Sequence, residues 1–149
     1  MKAFRTGFTI VELLVSMAVI VIITGISVAG FQNYARYQRY DQEVATLRAT
    51  IADAKVSARV SEGGVSHGVK FLSDRIVVFE GATYSAVDPT NEETVFSTIT
   101  LTNTLSGGGS EVVFETRTGL PSVSGTVTAT GIYHSGTTNV EITEAGVIQ

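Results

Sequence analysis

The chain has no cysteine, no tryptophan and only two prolines, Pro89 and Pro121. Without cysteine there is no disulfide framework, no thiolate-bound zinc, no iron–sulfur cluster and no thiol nucleophile. Histidine is nearly as scarce, with His67 and His134 alone. They lie near Ser66 and Ser135, but adjacency is not triad geometry, and no Gly-x-Ser-x-Gly elbow is present. The run Gly107-Gly108-Gly109 lacks the Lys-Ser/Thr of a phosphate-binding loop. These absences point to a chain that is not an enzyme and carries no cofactor. Basic residues are also few, ten against 14 acidic, for a net charge of −4. After Ile76 the only basic side chain is Arg117, against eight acids. That balance argues against nucleic-acid binding, which requires clustered Lys and Arg.

What is present is unevenly spread. The mean hydropathy of +0.27 coexists with 16% charged residues. Residues 8–31 read FTIVELLVSMAVIVIITGISVAGF, with Glu12 as the only charge, and none follows until Arg36. A helix crossing a bilayer needs about 20 predominantly apolar residues, so this run is expected to enter a membrane. It could be a cleaved secretory signal, a plain anchor, or a helix retained after a cut on its N-terminal side. Lys2 and Arg5 and the Ser27-Val28-Ala29 pattern suit the first reading. Against it, the run exceeds the usual h-region of about 7–15 residues, and it contains an acid. Lys2 and Arg5 on one side are matched by Arg36 and Arg39 on the other, so charge bias does not orient it. Glu12 needs a partner, because a carboxylate at the centre of a membrane helix costs about 2.5–3.5 kcal/mol. Arg5 is the local choice and a neighbouring subunit the other.

Gly7-Phe8-Thr9-Ile10-Val11-Glu12-Leu13-Leu14-Val15 resembles the processing site of type IV prepilins and type II secretion pseudopilins. The resemblance implies a basic leader, residues 1–7, removed by a prepilin peptidase that cuts between Gly7 and Phe8 and N-methylates Phe8. It further implies that Glu12 meets the Phe8 amine of a neighbouring subunit during assembly. An unpaired buried charge is strongly penalised, so such a pair would favour assembled subunits and fix their axial register. The implied partners are other pilin or pseudopilin subunits, the prepilin peptidase and an inner-membrane assembly platform. The implied location is the bacterial inner membrane, as a single pass with the head outside the cytoplasm. The alternative is a membrane-anchored extracytoplasmic binding module that never polymerises. A secreted β protein with an ordinary signal peptide is the third possibility.

Past the apolar run, no Gly or Pro occurs between Phe31 and Glu62. Tyr37, Tyr40, Val44, Leu47, Ile51, Ala54 and Ala58 recur at steps of three and four, the apolar stripe of a helix. One helix is expected over about residues 8–61, with its first part, 8–33, in the membrane or filament core and 34–62 amphipathic. Gly63-Gly64 is the expected stop. The stripe could form a coiled coil or pack on a sheet; its brevity and small alanines favour the sheet. Tyr34, Tyr37 and Tyr40 suit an interfacial aromatic belt.

Residues 63–149 change texture. They hold most of the glycines and fifteen threonines between Thr83 and Thr143. Strands are expected at 69–72, 75–80, 95–101, 111–116, 125–130, 132–135 and 140–143, with Val147-Ile148 as an eighth candidate. Residues 105–110 read as a hairpin tip. The fold class is therefore α+β, a long N-terminal helix packed on an antiparallel β head, as the type IV pilin resemblance implies. Gly68-Val69-Lys70-Phe71 with Val77-Val78-Phe79-Glu80-Gly81 resembles the first sheet of H-type pseudopilins and related minor pilins. Asp88, Asn91 and Glu92 cluster oxygen ligands suited to calcium, but without EF-hand spacing a solvated loop is the favoured reading.

Overall fold

The computed structural model describes residues 7–60, 64–133 and 135–149, and for residues 26–30 the backbone only. The leader residues Lys2 and Arg5, the helix end at Ser61, and His134 lie outside the described residues. The helix α1 spans Ile10–Val60. With no proline in its length, every residue keeps the amide that an i→i−4 bond needs. The expected start at Phe8 moves to Ile10, because Thr9 caps the helix. Beyond it, Gly64 has a left-handed φ of 73°, a conformation glycine adopts without steric cost. The chain divides into two compact units, Met1–Tyr37 and Gln38–Gln149.

In the first unit, the described part of α1 exposes its apolar side chains on every face, including Leu13, Met17, Ile20 and Ile23. The expected membrane span over residues 8–33 is not found among the described residues: no helix there is long and apolar enough to cross a membrane. The run behind that expectation passes through residues 26–30, whose side chains are not described.

Among its described residues the second unit holds seven strands in two antiparallel sheets. The first has β1 (His67–Phe71), β2 (Arg75–Glu80), β3 (Glu92–Val95) and β5 (Glu111–Phe114), in the order β3-β2-β1-β5. The second has β4 (Ile99–Leu105), β6 (Gly125–Gly131) and β7 (Thr137–Ile142), in the order β4-β6-β7. Tyr40, Val44, Leu47, Ile51, Ala54 and Ala58 of α1 are buried in one core with Val69, Ile76 and Phe114 of the first sheet and Leu101, Val127 and Val140 of the second. The stripe thus serves helix-on-sheet packing. Tyr37, its expected first member, is exposed. Small side chains at Ala54 and Ala58 let the helix backbone lie close to the strands.

Several strand limits differ from expectation for identifiable reasons. β3 replaces an expected loop; its two glutamates are exposed along an edge strand, and pairing with β2 holds it. β4 lies at 99–105 instead of 95–101, because Ile99 and Leu101 point inward while Thr100 and Thr102 point out. Residues 105–110 do not tip a hairpin: β4 and β5 belong to different sheets, and this segment carries the chain between them. The strand expected at 132–135 is absent among its described residues, where Ile132 donates its amide to Thr98. β7 begins earlier, at Thr137, by pairing with Thr130. Ile148 makes only an isolated bridge to Ile142, beside reciprocal 3.1 Å bonds between Glu141 and Gln149.

Candidate functional site

The residues singled out by the processing motif lie where α1 begins. Gly7, Phe8 and Thr9 precede the helix, and Phe8 is 77% exposed. The Glu12 amide donates to the Thr9 hydroxyl at 3.2 Å, and the Leu13 amide to the Thr9 carbonyl at 3.2 Å. Thr9 is therefore the N-cap, and Glu12 sits three residues on, in the first turn. Thr-x-x-Glu is the signature of a capping box, a local signal that lies inside the processing motif and is masked by it. It gives Glu12 a second physical role. A carboxylate in the first turn is favoured by the helix dipole by about 0.3–1 kcal/mol, which offsets part of the cost of placing it in an apolar run. Ser16 and Thr24 turn their hydroxyls back onto the carbonyls of Glu12 and Ile20, both at 2.7 Å. These bonds satisfy the only described hydroxyls between Thr9 and Gly25 without breaking the apolar surface of the run.

The head positions its own polar groups differently. Glu43, on the helix, receives the Ser97 amide at 3.0 Å, the Ser97 hydroxyl at 2.9 Å and the Thr98 amide at 2.9 Å. These donors lie in the bend between β3 and β4, so one carboxylate ties α1 to the crossing from the first sheet to the second. Lys55 reaches the Gly146 carbonyl at 2.7 Å. The Arg117 amide donates to Ala58 at 2.9 Å, supplying a partner to a carbonyl in the last turns of the helix. His67 is buried on β1, and its Nδ1 has no partner among the described residues.

No family model matches the sequence, and no curated protein is similar to it in sequence. Among solved structures, the crystal structure of the Pseudomonas aeruginosa type IV minor pilin FimU matches with a TM-score of 0.58. The match covers 73% of this chain and 90% of that one at 17% identity. The fold is that of a type IV pilin.

Within this fold the oxygen-rich loop turns polar groups onto its own residues. Asp88 Oδ1 accepts from the Thr90 amide at 2.9 Å and the Thr90 hydroxyl at 2.7 Å. Those bonds hold the Asp88 carboxyl below the usual aspartate range. Asn91 donates its side-chain amide to the Ser85 carbonyl at 2.7 Å, and Glu92 belongs to β3. Among the described residues, no group of three or more His, Asp or Glu is placed to hold a metal ion.

The Glu43 clamp has a measurable consequence for the pilin head. Burial raises its carboxyl pKa, but the donors at Ser97 and Thr98 outweigh burial and leave it below the usual glutamate range. A depressed folded-state pKa contributes stability above the unfolded value, and that contribution is lost as pH falls through the folded value. Glu43→Gln is therefore expected to lower stability by about 1.5–3 kcal/mol at neutral pH. The deficit should shrink as pH falls from the ordinary glutamate range toward the depressed folded-state value, below which the wild-type carboxylate is itself protonated. Thermal melts of both proteins across acid pH check this; a deficit constant with pH would remove the charged clamp.

Proposed function

We propose that the chain is a non-enzymatic structural subunit, a minor pilin or pseudopilin, of a type IV pilus-like filament or type II secretion pseudopilus. It is made as a prepilin in the bacterial inner membrane, cut after Gly7 and N-methylated on Phe8. It then joins other subunits through an assembly platform.

The observation that supports the reading is the join between the non-helical Gly7-Phe8 and a helix whose described apolar side chains are exposed. Gly7 and Phe8 lie outside the helix, and the Thr9 cap begins the helix immediately after. The apolar surface that follows has no cover within its own unit, and such a surface calls for lipid or other copies. Both are met in turn by a subunit that waits in a bilayer and then packs into a filament core. After cleavage, the Phe8 amine supplies the cation that Glu12 lacks in its own first turn.

Intact-mass and N-terminal analysis of the protein purified from membranes tests the reading. The expected product lacks Met1 to Gly7, begins at Phe8 and carries one added methyl group. An intact Met1 would instead mark a plain anchored module, and a start at Gly30 a secreted β protein.

A further inference from the structure

The head carries a cleft of about 300 Å³ lined by Val56, Arg59, Val60 and Arg117. Its two valines are 53% and 72% exposed, although helix valines of a packed domain normally face the core. Neither arginine enters a salt bridge among the described residues. Arg117 is also the one described non-glycine residue with a positive φ, 71°, and its backbone N–H donates to the Ala58 carbonyl. The cleft thus sets two exposed valines beside two arginines.

The opposite chemistry stands on the loop between β2 and β3. Val87 is 91% exposed, the most exposed large apolar side chain described. Asp88 follows it. Only Asp88 Oδ1 is used by Thr90, so the other oxygen is left without a protein partner among the described residues. The Asp88 amide to Ser85 and the Asn91 side chain to Ser85 brace the tip, so little ordering is left for binding to impose.

We infer that the Val87-Asp88 tip of one copy seats in the Val56/Arg59/Val60/Arg117 cleft of the next, valine against valines and carboxylate against guanidinium. This rests on the filament-subunit reading and names the head surfaces that such a filament joins. The occupant is a second copy because the complementary charge and the exposed apolar knob stand on this same chain. Knob and cleft are different surfaces, so the contact is head-to-tail and repeats without closing unless the rotation returns on itself. An open helical array is the form that this kind of contact builds.

The absence of native cysteine makes the test direct. The full-length chain carrying Val87→Cys and Val60→Cys is treated in membranes and filaments with a short bismaleimide. A ladder of dimers, trimers and higher species is expected from the double variant, and at most dimers from either single variant. Val95→Cys with Val60→Cys, an exposed control on β3, should give no ladder. Arg117→Asn keeps a residue that tolerates the left-handed backbone and removes the charge; it should cut the ladder by about threefold to fivefold, as should high salt. Asp88→Asn keeps the oxygen that Thr90 uses and should act alike. No ladder above the Val95 control, or a ladder indifferent to Arg117→Asn, overturns the contact. The N-terminal mass of the same sample is read alongside. A mature methylated Phe8 without a ladder rejects the contact alone, and a ladder on chains that still begin at Met1 rejects the filament reading alone.

Discussion

Glu12→Ala is expected to leave the chain in the membrane fraction and to remove it from sheared filaments. The substitution isolates charge from helix geometry. The first turn is capped by the Thr9 hydroxyl, which accepts from the Glu12 backbone amide, and alanine keeps that amide. Apolarity of the run only increases, so insertion should be unaffected. What disappears is the one acid among residues 8–35, and with it the partner proposed for the Phe8 amine of a neighbouring copy. Removing one member of a buried ion pair costs about 3–5 kcal/mol because the other is left uncompensated. At about 1.4 kcal/mol per decade, incorporation should fall by about 100-fold or more. Quantitative blotting of sheared filaments against membranes measures it. Glu12→Ala present in filaments at the wild-type level would remove the intersubunit role and leave Glu12 as a residue of the helix cap.

Ile51→Ala should strongly destabilise the head. Ile51 is 0% exposed, and the core around it draws on both sheets. Truncation to the β-carbon removes transfer free energy and leaves a cavity, a loss of about 2–5 kcal/mol. For a head near 100 residues that corresponds to a fall of about 10 °C or more in melting temperature. Thr46→Ala, on the exposed face of the same helix, is the control. The Thr46 hydroxyl only turns back onto the Gln42 carbonyl, so its loss should change stability by no more than about 0.5 kcal/mol. The pair of melts also checks the helix-on-sheet role of the apolar stripe. Were it a coiled-coil seam, Ile51→Ala would weaken oligomers and spare the head's unfolding transition.

The prepilin-like pattern, the long helix and the β character of the head are legible in sequence because each rests on a local signal. Gly7-Phe8 with an acid four residues beyond Phe8 is a contiguous pattern. The stripe from Tyr40 to Ala58 repeats at helical spacing, and β2 is bounded correctly at 75–80 because Ser73-Asp74 and Gly81 flank it. The Thr9–Glu12 cap is equally local but hidden beneath the motif that contains it. β3 is not legible, since Glu-Glu-Thr-Val is a poor strand in isolation and depends on β2 as its template. Nor is the passage between sheets at 105–110, where a glycine run looks the same whether the chain turns back or crosses over.

The sequence by itself determined that the chain is a long, uninterrupted helix followed by short strands, and that one acid stands in an otherwise uncharged run. Periodicity, capping and hydropathy act over a few residues, so they can be read without knowing what lies opposite. Only the tertiary structure decided that the stripe packs on two sheets, that Glu43 clamps a bend 54 residues away, and that Arg59 and Arg117 share a cleft. Those outcomes depend on which groups meet across long loops. Hydrogen bonding and packing at that range are set by topology, and neighbouring residues carry no record of it.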